Sequence, residues 1–366
     1  MISDNLKIST RQFGRMVVLD WLAKTVLLLP GFAEKESGRS FVLSLLFGVL
    51  LALAYAWLVG KVANHMEHGF YAYTAERLGQ SCARILTILY LFYAFLNTVF
   101  LVRLFGVIAC TFVLPETSQE ILMAVLLLGS VYIILGGTEV RARVSEVLFS
   151  VLVYPLLFLL ICAAFSTNSG YLAPGRVQTS FETVKHGMQV FIGFGGMGIF
   201  LFFLPELKAR EKMGRTLIRA VAALGMAVVA LCLAAIGSFG EAGMRALSWP
   251  AITLMSSALI PGGFLQRWDV IFTGLLLAAF FPAVGAGLYY MKILVRELLG
   301  EKKRRETGSA RVFTAALLVY AAALWCASYA TASRVFTVVN GYLLVPFLVL
   351  FTLFLAVVEY AGRRRS

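Results

Sequence analysis

The sequence predicts an all-α polytopic membrane protein with ten transmembrane helices in two halves of five, and three observations support this prediction. Hydrophobic residues make up 60% of the 366 residues and charged residues only 14%, whereas soluble domains have roughly 45–50% and about 25%. The apolar residues gather into ten runs close to the roughly 20 residues that a helix needs to cross a bilayer. The basic residues fall mostly in alternate connections between these runs. This pattern excludes a cytosolic enzyme, a secreted disulfide scaffold and a disordered chain.

The apolar runs follow one another along the whole chain. They are Phe13–Phe32, Phe41–Val62, Ala83–Leu114, Glu120–Leu135, Val144–Phe165, Met188–Pro205, Leu217–Phe239, Trp268–Tyr290, Val312–Thr331 and Val338–Tyr360. They are too long for buried strands and lack the alternating pattern of an outer-membrane barrel. We therefore expect one transmembrane domain, residues 1–366, with a first five-helix repeat at 13–166 and a second at 186–360.

The distribution of lysine and arginine predicts the orientation of the chain. Of the 32 basic residues, 23 fall on one side of the predicted membrane and seven on the other, while Lys24 and Arg103 fall inside apolar runs. Because short cytoplasmic loops carry the excess of positive charge, we expect both termini in the cytoplasm. The net charge of +13 is then explained by topology and by contact with anionic membrane lipid, and nucleic acid is not an expected partner.

Five spans per half require the two halves to enter the membrane from opposite sides, as inverted repeats of secondary transporters do. In such folds a pair of interrupted spans at matching positions marks the binding site. Span 1 is interrupted by Asp20 and Lys24 and nearly ended by Pro30, and span 6 has its own proline, Pro205, at a similar point. Helices 1 and 6 are therefore predicted to be broken.

Span 6 also contains four glycines within six residues. They are Gly193, Gly195, Gly196 and Gly198, with Met197 between the last two. Each glycine costs a helix roughly 0.5–1 kcal/mol relative to alanine, so an unwound segment is expected here, and its free backbone groups can hold a zwitterion. The alternative, close packing of helices through small residues, remains open.

Charged and polar groups inside the spans are further candidates. Asp20 and Lys24 are spaced to share one helix face. They form either a structural ion pair or a functional site, in which Lys24 contacts a substrate carboxylate or titrates between conformations. Arg103 is expected to have a structural role, either reaching a carboxylate such as Asp20 or extending to the membrane surface. Tyr93 and Asn97 precede it in span 3 and are candidate polar groups of a ligand pocket.

Other chemistry is not indicated. Two of the three histidines, His65 and His68, are close in sequence but have no third ligand nearby, so no metal site is expected. The sequence contains no phosphate-binding loop and no nucleophile motif, so neither a cofactor nor an enzymatic activity is predicted.

Four segments of the sequence are more distinctive than the spans. They are ISTRQF at Ile8–Phe13, LLLP at Leu27–Pro30, GGTEVRARVSE at Gly136–Glu146 and LSWPAITLMSSALIPGGFLQRWDVIF at Leu247–Phe272. In this order and spacing the chain resembles the B-subunit of spore germinant receptors, the GerAB-type spore permeases, a branch of the amino acid–polyamine–organocation superfamily.

The resemblance implies a LeuT-like fold of ten helices in the inner membrane of a bacterial spore. It also implies larger A-type and lipoprotein C-type partner subunits, and a small nutrient ligand, chiefly an amino acid. Transferred to this chain, the ligand pocket would be formed by two segments and by facing residues of spans 3 and 8. The two segments are Ala23, Lys24 and Thr25 in span 1 and Gly195, Gly196, Met197 and Gly198 in span 6.

Two positions depart from the family pattern. The family often has a small residue where this chain has Lys24, and an acidic residue where it has Gly196-Met197-Gly198. Lys24 is therefore a candidate cation for a carboxylate-rich ligand. Three functions compete: a receptor subunit that senses a nutrient, an active amino acid transporter that works by alternating access with or without coupled protons, and a conduit for water or ions.

Overall fold

The computed structural model describes residues 7–28, 38–66, 69–165, 167, 180–257, 268–300, 308–326 and 328–363. The α-helices are α1 (Thr10–Leu28), α2 (Gly38–Ala63), α3 (Phe70–Leu78), α4 (Gln80–Phe112), α5 (Gln119–Leu135), α6 (Gly137–Phe165), α7 (Ser180–Phe194), α8 (Met213–Ala246), α9 (Pro250–Ser257), α10 (Trp268–Leu298), α11 (Gly308–Trp325), α12 (Tyr329–Val335) and α13 (Val345–Arg363). A 3₁₀ segment (Gly195–Glu206) continues α7, and a π segment (Phe336–Leu344) joins α12 to α13.

Helices of membrane-spanning length dominate the chain. Within the described residues, seven helical stretches are long and apolar enough to cross a membrane, and α5 and α11 are apolar but shorter. Large apolar side chains such as Leu128 and Val151 stay exposed on the outside of the bundle, as expected when lipid is the solvent. A helix lies over each of the ten predicted runs, so the chain is an integral membrane protein, while the number of ten crossings stays a prediction.

The two predicted helix breaks have different outcomes. In span 6 the α-helix ends at Phe194 and the backbone tightens into the 3₁₀ segment at Gly195, so the helix geometry changes at the glycines. In span 1, α1 is helical without interruption through residues 23–25 and ends at Leu28. The break expected at residues 23–25 is wrong, because none of these residues disfavours a helix as glycine or proline does. Pro30 lies outside the described residues.

The centre of the bundle is formed by α1, α4 and α10, and α2 packs against both α7 and α8. Two glycines allow α2 and α8 to approach until their backbones touch: a Cβ added at Gly214 would lie 2.6 Å from the Cα of Gly60. Such contact between small residues is typical of helix packing in membranes. It brings a helix of the predicted first repeat directly against one of the second.

The N-terminal segment is tied to the end of span 6 by backbone hydrogen bonds. The amide of Ile8 donates to the carbonyl of Glu206 at 2.9 Å, and the amide of Lys208 donates to the carbonyl of Ile8 at 3.0 Å. Ser9 and Gln12 then cap the start of α1 through reciprocal hydrogen bonds, as in a capping box. Backbone hydrogen bonds therefore join the end of span 6 to the segment that precedes α1.

Candidate functional site

A small cavity lies where α1, α4, α10 and the 3₁₀ segment meet. Its volume is about 30 Å³, which is close to the space of one water molecule. Its lining residues are Asp20, Trp21, Tyr93, Ala94, Asn97, Gly196, Ile199, Ala283, Ala286, Gly287 and Tyr290. The cavity thus has a carboxylate, an amide and two phenols at its wall, but no room for an amino acid in this conformation.

The carboxylate of Asp20 is bound by an arginine from α6. Arg141 donates to both oxygens of Asp20, at 2.8 and 2.7 Å, and the Tyr290 hydroxyl donates to Oδ2 at 3.2 Å. Both charged side chains are 3% exposed. The guanidinium also lies over the rings of Tyr289 and Tyr290, at 5.0 and 5.3 Å from their centroids. One wall of the cavity is therefore linked directly to the predicted cytoplasmic end of α6.

Lys24 does not pair with Asp20, so the structural ion pair considered from the sequence is not formed. Its ammonium donates to the Asn97 side-chain oxygen at 3.2 Å and lies 5.5 Å from the centre of the Trp21 ring. The residue is 2% exposed, and among the residues that the structure describes it forms no ion pair. Lys24 is therefore a buried cation held by one amide and one aromatic face, beside a cavity-lining residue.

The glycines of span 6 make room for side chains rather than leaving backbone open. A Cβ at Gly196 would overlap the ring of Tyr93, one at Gly198 would overlap the Tyr90 hydroxyl, and one at Gly195 would overlap Val345. The close-packing interpretation therefore describes these positions in this conformation. Met197 is fully buried, and Gly193 lies in the last turn of α7, outside the cavity lining.

The other predicted residues lie further from the cavity. Ala23 and Thr25 are buried in α1, and the Thr25 hydroxyl donates to the carbonyls of Trp21 and Leu22 one turn earlier. Arg103 is buried in α4, but the carboxylate of Asp20 is bound by Arg141 instead. None of these three side chains lines the cavity.

Three polar residues of the structure are not among the candidates predicted from the sequence. Arg141 belongs to the distinctive GGTEVRARVSE run, but the sequence assigns its charge only a role in membrane orientation. Tyr290 is the last residue of predicted span 8. Asn340 lies in the π segment and is fully buried, with no protein partner for either side-chain polar atom within the described residues. A polar residue inside an apolar run was the available signal for Asn340.

The chain is similar to spore germination proteins over most of its length. Residues 7–327 match the profile of the family described as "Spore germination protein". Among curated relatives, spore germination protein KB of Bacillus subtilis (strain 168) is 25% identical, with 99% of this chain and 97% of the relative covered. Spore germination protein GerLB of Bacillus cereus is 28% identical over 62% of each chain.

Solved structures share the fold at low sequence identity. The crystal structure of MhsT in complex with L-phenylalanine superposes with a TM-score of 0.73, covering 93% of this chain and 87% of that one, at 11% identity. A substrate-bound, outward-open Na⁺-coupled sialic acid symporter gives a TM-score of 0.62, covering 86% and 74%, also at 11% identity. The architecture is thus the LeuT-like transporter fold that the sequence resemblance implied.

Proposed function

The chain belongs to the family of spore germination permeases, and we propose that it is the membrane-embedded B-subunit of a germinant receptor that senses a small nutrient bearing a carboxylate, most simply an amino acid. The observation that carries this proposal is the buried ammonium of Lys24, hydrogen-bonded to Asn97 at the wall of the central cavity. A buried cation is costly unless it is paired. A ligand carboxylate would supply the missing counter-charge.

Asp20 completes the recognition of a zwitterion. It lies one helical turn from Lys24 on α1, so the two opposite charges can face the two ends of an amino acid. A ligand ammonium at Asp20 would share that carboxylate with Arg141 and Tyr290. The ligand would then weaken the link between the cavity and α6, which gives a physical route from binding to a change at the cytoplasmic side.

Binding requires the cavity to open, because about 30 Å³ does not admit even a small amino acid. Tyr93 fills the space beside Gly196, and rotation of this ring would enlarge the cavity. In this proposal the ligand stabilises the enlarged state, and only its preference for that state shifts the equilibrium. The partner subunits, an A-type and a C-type protein, would detect that shift.

The test is binding and uptake with purified protein in liposomes, using a panel of radiolabelled amino acids. Lys24→Met removes the charge and keeps a similar side-chain volume, and we expect it to weaken binding at least tenfold. Lys61→Met is the matched control, since Lys61 is exposed at the end of α2, and it should bind as the wild type does. Equal binding by Lys24→Met and Lys61→Met would refute the role of Lys24.

An active transporter is the second candidate, because the solved structures that share this fold include a Na⁺-coupled symporter. The same liposomes separate the two functions. Binding without accumulation of the amino acid supports the receptor. Accumulation against a gradient, with or without an imposed proton gradient, would establish transport and contradict a purely sensing role.

We further propose that the chain resides in the inner membrane of the spore with both termini in the cytoplasm, and that its two halves, 13–166 and 186–360, are inverted repeats. The excess of basic residues in alternate loops supports this orientation. Labelling single cysteines with a membrane-impermeant maleimide in sealed vesicles would test it. The basic segment KKRRE at Lys302–Glu306 is assigned to the cytoplasm by this orientation, so modification of a cysteine placed there from the outer side would reverse the assignment.

A further inference from the structure

A second, larger crevice lies on the outside of the bundle, between α4, α11 and α12 and at the first residue of the π segment. Its volume is about 420 Å³, within the roughly 300–1,000 Å³ of small-molecule sites. Its lining is apolar except for the hydroxyl of Thr331 and the thiol of Cys326. None of its residues lines the central cavity, so it is a separate site.

The crevice is lined partly by exposed aromatic and aliphatic side chains. Trp325 is 89% exposed, Phe92 45% and Val335 40%. In water such a surface would be unfavourable, but these helices belong to the membrane-embedded bundle, where exposed apolar side chains meet lipid. Trp325 ends α11, a position typical of tryptophan at the membrane–water interface.

Two of the residues that line the crevice form a pair of stacked rings. Phe100 of α4 and Phe336 of the π segment have centroids 4.3 Å apart and lie nearly parallel. π-helical turns often mark functional positions in membrane and soluble helices. The lining of the crevice therefore includes an aromatic pair that joins α4 to the π segment.

We propose that this crevice binds one acyl chain of a phospholipid, with the lipid phosphate at Arg334. Arg334 is exposed on α12 and is adjacent in sequence to Val335, which lines the crevice. Its guanidinium provides the charge complementary to a phosphate, while the crevice provides the apolar volume for the chain. The predicted topology places this end of the bundle in the outer leaflet. The proposal is independent of the nutrient-sensing function.

The experiment is photo-crosslinking of the full chain in nanodiscs that contain a phosphatidylglycerol with a diazirine midway along one acyl chain. After irradiation, mass spectrometry maps the labelled peptides. We expect the label to concentrate on residues 92–100 and 331–336. Label spread evenly over the exposed faces of α5 and α6 as well would show ordinary annular lipid and overturn the proposal.

Two crevice-filling variants and one control make the result specific. Ala322→Trp and Thr331→Trp should each reduce the crevice label at least fivefold. Because Thr331 is exposed, its replacement does not disturb the core. Leu318→Trp is the control, because Leu318 is a lipid-facing residue one turn earlier on α11, 62% exposed and outside the crevice. Unchanged crevice label in folded Thr331→Trp would refute the site.

A separate variant tests the proposed contact between Arg334 and the lipid phosphate. Arg334→Gln should reduce labelling by anionic phosphatidylglycerol two- to threefold or more. Equal labelling of wild type and Arg334→Gln would remove the assigned role of Arg334. Absence of crevice label from every lipid tested would overturn the acyl-chain assignment and leave a protein partner as the alternative occupant.

Discussion

Arg141→Ala should strongly destabilise the bundle, because it leaves the Asp20 carboxylate buried without its counter-charge. Both side chains are 3% exposed, and the remaining hydrogen bond comes from Tyr290 at 3.2 Å. Removing one partner of a buried pair costs about 3–5 kcal/mol. At the lower end, and with about 2 °C per kcal/mol for a large domain, the thermal midpoint should fall by roughly 6 °C.

The assay is thermal unfolding of the purified protein in detergent, with Arg143→Ala as the matched control. Arg143 lies on the same turn of α6 and pairs with Glu139, but these side chains are 72% and 46% exposed. An exposed pair at this spacing contributes only about 0.3–0.5 kcal/mol. Asp20→Asn combined with Arg141→Ala should recover much of the loss. Equal midpoints for Arg141→Ala and Arg143→Ala would refute the argument.

Three further substitutions, with Gly274→Ala as a control, test the packing and the buried polar groups by the same thermal assay. Gly60→Ala should destabilise the fold by forcing α2 away from α8. The control Gly274→Ala has open space at its Cβ, so it should be neutral or stabilising by up to about 1 kcal/mol. Equal effects of the two substitutions would contradict the close contact between α2 and α8. Asn340→Leu should raise the midpoint, since a buried amide with no hydrogen-bond partner among the described residues costs about 1–3 kcal/mol, and a fall would contradict this expectation. Burial and the hydrogen bond to Glu359 raise the pKa of Tyr73 from 10.0 to about 12. The neutral phenol is therefore favoured in the fold, so its stabilisation is present below pH 10 and is lost as the pH rises through about 12. The advantage of wild type over Tyr73→Phe should accordingly be smaller at pH 11 than at pH 9.

The sequence predicts where the cavity lies more readily than which side chains pair with each other at its wall. Asp20, Asn97 and Gly196 were candidates because a charge, an amide or a cluster of glycines is expensive inside an apolar span. The partner of Asp20 was not predictable, since Arg141 is 121 residues away in sequence and lies in a run that the sequence predicts as a cytoplasmic connection, whereas the structure places it inside α6. Only the fold brings the two together.

The sequence predicts a change in helix geometry where glycines cluster, as in span 6. It gives no such indication for the π segment. The change to 3₁₀ geometry at Gly195 follows from the glycines of span 6. The π segment at Phe336–Leu344 has no comparable cluster, since it contains a single glycine, Gly341. In span 1 the charge of Lys24 was interpreted as a break, but a long polar side chain can be accommodated by a partner such as Asn97 without unwinding the helix.

The closed cavity has a consequence for sensitivity. If a nutrient binds only the enlarged state, the measured dissociation constant equals the intrinsic one divided by the fraction of molecules that are open. An open population of about 1% would weaken the apparent affinity about 100-fold without altering any contact to the ligand. The concentration at which the protein responds would then be set largely by how tightly Tyr93 packs against Gly196. Two related proteins with the same ligand contacts would have different thresholds if their packing at this point differed.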